Sequence, residues 1–229
     1  LHRLWEVDKI IKKCVENFNF HLMFTTLLNF CSNDLSSFYF DIRKDVIYCD
    51  SPSSLKRKSS RTLLNIIFNY LVRWFAPSIS FTTEEAWKAI GNSKSIHLED
   101  FLTCDNSYEN QQINKKWQII KNIRKVSTGS IEKIREDKII RSSLEAHLDI
   151  YVSKEIYADV EDINFDEITI TSSFKLHIIN QDSVGFSVED LPNIKVNSSK
   201  VDGDKCQRCW KYEDKLFDNQ ICHRCNEAI

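Results

Sequence analysis

The sequence predicts a mainly α-helical fold: an antiparallel helical bundle, then a small α+β module, then a C-terminal zinc ribbon. Three observations predict it. Glycine and proline are scarce, at 4 and 3 of 229 residues, so tight turns are few and low-complexity classes are excluded. Apolar residues recur at helical spacing through the first half and at alternate positions after it. The last stretch contains two Cys-x-x-Cys pairs, Cys206 with Cys209 and Cys222 with Cys225. The expected division is residues 1–141 for the bundle, 142–200 for the α+β module and 201–229 for the ribbon.

In the first segment, Leu4, Val7, Ile10, Ile11, Cys14 and Phe18 mark one face of a helix. Leu22, Thr26, Leu27 and Phe30 mark a second. Ser53 or Ser54 is an N-cap for a long helix that Pro77 follows, with Leu63, Leu64, Ile67, Phe68, Leu71, Val72 and Phe75 as a nearly continuous apolar surface. Thr82 with Glu85 has capping-box spacing, and Gly91 is a stop for the short helix that follows. Ile113, Trp117, Ile120, Ile123, Val126, Ser130 and Ile134 fit one long helix with a bend near Gly129. Leu144, Ala146, Leu148, Ile150 and Val152 alternate as a strand does. Residues 153–162 hold room for one short helix, and Ile168 with Ile170, Phe174 to Ile178, and Ile194 with Val196 read as further strands.

Charge is segmented. The chain is 28% charged with a formal net of -2, which by itself excludes little. Residues 55–73 carry five cations (Lys56, Arg57, Lys58, Arg61, Arg73) and no acid. Residues 115–141 carry nine cations and three acids, whereas residues 151–199 carry three cations and nine acids. Basic helix faces attract phosphate backbones, so Lys56, Arg57, Arg61, Lys121 and Arg124 are candidate nucleic-acid contacts; a solvated helix face is the alternative. No apolar run reaches the roughly 18 residues of a membrane span, and no secretory signal is visible, so a cytoplasmic, non-membrane protein is expected. The chain begins at Leu1, with Met23 its one methionine, and is expected to be a fragment of something longer.

Cys14, Cys31, Cys49 and Cys104 are scattered and read as reduced, packed thiols. The other four have metal-ligand spacing, two pairs with twelve residues between. Zinc takes four soft ligands in a tetrahedron, and a segment this short and polar needs the metal to fold. Four thiolates leave no vacancy for water, so one structural Zn2+ is expected at Cys206, Cys209, Cys222 and Cys225. A disulfide arrangement, or His223 replacing a cysteine, ranks below it. Arg208 and Trp210 ride on the first pair. They either present a cation and an indole to an unstacked RNA base, or pack the ribbon onto the module before it.

These pieces resemble a family. NFCSNDLSSFYFDIRKDVIYCD, RTLLNIIFNYLVRWFAPSISFTTEEAWKAI, SIHLED and KIIRSSLEAHLDIY look like the anticodon-binding region of bacterial isoleucyl-tRNA synthetases, which are class I enzymes; KCQRCWKY with ICHRC looks like their C-terminal zinc module. The resemblance covers essentially the whole chain in order. It implies a helical anticodon-binding domain of the class I synthetase type, tRNA(Ile) as partner, a monomer, and a ligase that joins isoleucine to its tRNA with ATP. The ATP-binding His-Ile-Gly-His-like and Lys-Met-Ser-Lys-Ser-like motifs do not occur, so ATP belongs to a catalytic domain outside this chain and the chain alone is expected to be inactive. KIIRSSLEA departs from the family form, which has glycine where Arg141 or Ser142 stands. Two other classes stay open: a free-standing zinc-ribbon module binding a protein partner, which would bind no tRNA, and a small enzyme, against which no nucleophile–base pair or phosphate loop is found.

Overall fold

In the computed structural model, which describes all 229 residues, helix α1 (His2–Glu16) buries Leu4, Val7, Ile11 and Cys14 along one face. Phe18 does not extend that face. It sits in the turn after the helix with a left-handed backbone (φ 55°) and 78% exposure. Asn19 caps helix α2 (Phe20–Asn29); of the expected face Leu27 and, just past the helix, Phe30 are buried, whereas Leu22 is exposed and Thr26 half-buried, with Met23 taking the inner position. Helical structure then continues where none was expected. A π-helical stretch, Phe30–Phe40, leads directly into helix α3 (Asp41–Cys49). Its 5-residue repeat is carried in part by side chains, Ser37 Oγ donating to the Ser32 carbonyl at 2.8 Å.

The chain forms two compact units, Leu1–Tyr39 with Ser53–Gln111, and Phe40–Pro52 with Gln112–Ile229. In the first unit Ser54 accepts from the Arg57 amide and starts helix α4 (Leu55–Phe75). Trp74 is its central buried residue, with Tyr70 at 5.3 Å and Phe30 edge-on at 6.4 Å between ring centroids. Helix α5 (Ser80–Ala89) begins two residues before Thr82, so the expected capping box is absent. Thr83 instead back-bonds to the Ile79 and Ser80 carbonyls, and Glu84 accepts from Ser95 Oγ and the Ile96 amide in the loop beyond. Gly91, at φ 92°, ends the helix as its conformational freedom allows.

The second unit is built on helix α6 (Gln111–Glu136) and a three-stranded sheet, β1 (Ala146–Val152), β2 (Ser173–Ile178) and β3 (Ile194–Lys200), in the order β2-β1-β3. Ala146, Leu148, Ile150 and Val152 are buried on one face of β1, as alternation requires. β1 runs parallel to β2 and antiparallel to β3. A parallel pair needs a crossover, and helices α7 (Lys154–Val160) and α8 (Phe165–Thr169) lie within it. This overturns the expected strand at Ile168 and Ile170: Ile168 is buried in α8, and Ile170 is its left-handed C-cap. Ser130 on α6 donates to the Val196 carbonyl and accepts from Ser198 Oγ, tying the helix to β3.

Helix α6 runs without interruption through Gly129. The glycine admits a ring, since a Cβ there would overlap Phe186. Leucine is a better helix former than glycine by roughly 0.8 kcal/mol. We nevertheless expect Gly129→Leu to destabilise the protein by about 1–3 kcal/mol in urea unfolding, because it overpacks this contact. Adding Phe186→Ala should recover part of the loss.

Candidate functional site

The tail folds as two metal-type knuckles. Strands β4 (Asp204–Lys205) and β5 (Tyr212–Glu213) pair across the first one. Within it the Trp210 amide donates to the Cys206 carbonyl, and the Cys206 amide to the Lys211 carbonyl, both at 2.9 Å. The second knuckle opens helix α9 (His223–Glu227). The loops are joined by the Gln207 amide donating to the Gln220 carbonyl at 3.0 Å.

This brings Cys206, Cys209, Cys222 and Cys225 together. All four are buried and their sulfurs lie within 4.8 Å of one another. Zinc–sulfur bonds of about 2.3 Å put tetrahedral sulfurs roughly 3.8 Å apart. The Cys209 and Cys222 sulfurs are 3.7 Å apart. Burial would raise the Cys206 thiol, but backbone amides aimed at its sulfur, those of Cys209, Cys222 and Arg208, bring it down to about 6. The Cys222 amide is 3.3 Å from that sulfur. Burial pushes Cys209 up. A buried set of four thiols with amides already directed at one sulfur fits a divalent cation that ionises them all. Zinc held by these residues would supply folding energy and no reactive position.

The two pairs share a pattern, Cys-x-Arg-Cys, and both arginines reach α3. Arg208 donates from Nη1 to the Cys49 carbonyl and from Nη2 to the Tyr48 carbonyl, the orphan acceptors at the helix C-terminus. Arg224 grips Asp45 through two bonds, Nη2 to Oδ1 at 2.7 Å and Nη1 to Oδ2. Burial would raise the Asp45 carboxyl; Arg224 outweighs it and holds it below the usual range. Cys49 packs directly into the cysteine cluster, and its thiol is pushed up to about 11, first by burial and then by Asp45. Nothing in the sequence separated Cys49 from the other scattered cysteines. The repeated Cys-x-Arg-Cys was the available signal for Arg224.

Trp210 is 59% exposed, with Lys205 Nζ 5.3 Å from its ring centroid. Its backbone is left-handed (φ 67°), a conformation that costs a bulky residue roughly 1–2 kcal/mol. The knuckle therefore holds an indole in solvent at a position glycine would occupy more cheaply.

The remaining expected contacts are dispersed. Lys56 and Arg61 are exposed and Arg57 half-buried, all at the start of α4 in the first unit. Lys121 and Arg124 are half-buried on α6 in the second unit, where Arg124 is 2.9 Å from Asp41. Arg73 leaves the basic surface altogether. It is buried, paired with Glu99 at 2.9 Å and stacked over Trp87.

A helical module joined to a cysteine-clustered tail defines a class, and comparison places the chain in it: it belongs to the anticodon-binding domain family of tRNA ligases, whose family model matches residues 1–152. Similar whole proteins include the isoleucine–tRNA ligase of Pelagibacter ubique, 45% identical over 212 residues, and that of Bartonella henselae, 40% identical over 214. The matches cover 92% and 93% of this chain but 22% of each relative. The chain thus spans about a fifth of the length of these curated relatives. No helix is long and apolar enough to cross a membrane.

Elemental analysis should find one zinc per chain, lost on Cys222→Ser, and chelation should lower the melting temperature of the wild type. Arg224→Ala should retain zinc but unfold about 1–3 kcal/mol more easily, because it leaves the carboxylate of Asp45 without its partner.

Proposed function

We propose that this chain is the part of an isoleucine–tRNA ligase that recognises the anticodon stem-loop of tRNA(Ile). The first segment, residues 1–141, is an antiparallel bundle of the class I synthetase type. Residues 142–200 join it to a zinc ribbon at 201–229, which holds one structural Zn2+. The parent attaches isoleucine to tRNA with ATP in a catalytic domain that this chain does not contain, and the chain alone activates no amino acid. It works in the cytoplasm as a monomer.

The observation that carries the reading is Trp210. An indole that contributes little burial, on a backbone that penalises it, is poorly explained by packing. It is well explained as a stacking platform for an unpaired base, the usual route to sequence-specific RNA recognition. The named ligase relatives and the matched anticodon-binding family support tRNA as the partner. Arg208 contributes differently from Trp210. Its guanidinium anchors the knuckle to α3, so its charge reaches RNA from a fixed position.

Trp210→Gly separates stacking from packing. We expect the variant to keep zinc and to remain within about 1 kcal/mol of wild-type stability, since relief of the left-handed strain offsets the flexibility of glycine. Loss of a buried tryptophan would instead cost roughly 3–5 kcal/mol. Affinity for tRNA(Ile) should fall by roughly 5- to 150-fold, the equivalent of one lost base stack. A variant that melts far below wild type, or binds tRNA(Ile) as tightly, would defeat the reading.

Phosphate contact adds a salt dependence. Binding should weaken steeply as salt rises, and changing Lys56, Arg57 and Arg61 together to alanine should weaken binding to many tRNAs alike while flattening the slope. Binding indifferent to salt would contradict it.

A further inference from the structure

Four thiolates around one divalent cation leave two negative charges in excess, and the four cysteines of the tail are buried. Excess charge out of water is costly unless cations or hydrogen-bond donors answer it. The Cys206 sulfur is answered by backbone, with the Cys222 amide 3.3 Å away. Two of the others are answered by side chains, and the pattern is crossed. Arg208, in the first knuckle, donates to the Cys225 sulfur of the second. Arg224, in the second, donates to the Cys209 sulfur of the first. Both guanidinium groups are held in place by α3, Arg208 by the Cys49 and Tyr48 carbonyls and Arg224 by Asp45. The two differ in one respect. The carbonyls that hold Arg208 are neutral, whereas Asp45 is an anion that takes up part of the Arg224 charge.

From this we infer that Arg208 and Arg224 are positioning residues of the metal site: each knuckle supplies the guanidinium that neutralises a thiolate of the other. The inference rests on the zinc reading above and adds to it the side chains that set the charge of the site. Anchoring a knuckle to α3 does not require its guanidinium to meet a sulfur as well. Exchanging the arginines does two things at once. It fixes how the two loops face one another, and it places a cation on a sulfur from each loop. A charge-assisted N–H bond to a thiolate stabilises its ionised form, which is the form that holds a metal. Partners beyond the ligands typically alter metal affinity by roughly 10- to 100-fold. The sign of the Asp45 effect follows. Asp45 competes with the Cys209 sulfur for Arg224, and its own negative charge opposes that of the cluster. Removing the charge of Asp45 therefore favours the metal, even as it weakens the attachment of α9 to α3.

The test uses the full chain, with a chromophoric chelator competing for zinc. Arg208→Gln and Arg224→Gln should each bind zinc roughly 10- to 100-fold more weakly than the wild type while still filling at saturation. Arg208→Lys, which keeps the charge, should recover part of the loss. Asp45→Asn is the deciding variant. It breaks the same Asp45–Arg224 pair that Arg224→Gln breaks, so both should melt below the wild type. Yet Asp45→Asn should bind zinc at least as tightly as the wild type, because it leaves the guanidinium to the sulfur. Cobalt(II) in place of zinc gives a second readout. The sulfur-to-metal charge-transfer band should move to longer wavelength in Arg208→Gln, which loses a donor to sulfur, and should not do so in Asp45→Asn. Asp45→Asn weakening zinc binding as much as Arg224→Gln, or Arg208→Gln binding zinc like the wild type, makes the arginines anchors only. Either result overturns the inference and leaves the zinc site standing. A wild-type chain that binds neither metal overturns both.

Discussion

Four thiols held within 4.8 Å of one another form the constraint on which the second unit turns. Packed so closely and buried, they cannot all ionise unless a cation joins them, and amides already directed at Cys206 prepare one of them for that state. Within itself the tail has little regular structure. Its two strands are two residues each, and α9 spans five residues. The cluster is therefore the core of the tail, with Ile221, Leu216 and Cys49 packed around it. A metal held there would couple its own binding to the folding of the tail.

Helix α3 is the second party to that folding. The two Cys-x-Arg-Cys knuckles send one arginine each to it, Arg208 to the carbonyls at its end and Arg224 to Asp45. Lys211, next in line, reaches Asp166 on α8, and the Tyr212 amide donates to Ser172 Oγ. The cysteine-clustered tail is thus stitched by charge and hydrogen bonds to the helices and strands beside it. A cavity beside Trp210 is a product of this stitching, since its wall is drawn from α3, α8 and the first knuckle. The same construction explains why Trp210 can stand in solvent on a strained backbone. The hydrogen bonds of the knuckle, from the Trp210 amide to Cys206 and from the Cys206 amide to Lys211, together with the buried Cys209 beside it, over-determine its φ and ψ, which is the condition under which strain persists.

Electrostatics are redistributed by folding. The nine cations and three acids of residues 115–141 read as a basic stripe. In the structure Lys116 pairs with Asp162, Arg124 with Asp41 and Arg135 with Glu132, and Lys133 sits over the Phe186 ring. Of these partners Asp162 comes from the acidic segment 151–199, Asp41 from α3 and Glu132 from α6 itself. What remains for a phosphate backbone is narrower than the counts imply, and Arg73 is not in it.

The sequence by itself determined the helices with strong 3.6-residue periodicity and the strand β1 with its strict alternation, and its spacing pointed to the four cysteines that the fold brings together. Each depends on neighbours close in the chain, or on a short spacing of cysteines. The resemblance to synthetase anticodon-binding regions was legible for the same reason, since its motifs are continuous runs. Tertiary structure decided the rest. Ile168 and Ile170 carry β-branched side chains, yet a parallel β1–β2 pair demanded a crossover and placed them in and after a helix. Gly129 is also a contact, because Phe186 comes to it from 57 residues away in sequence. The cavity beside Trp210 joins residues from 41 to 211, and no local pattern announces it. The two Cys-x-Arg-Cys runs read as one local motif used twice. Only the fold, by setting the knuckles face to face, turns the arginine of each to a sulfur of the other.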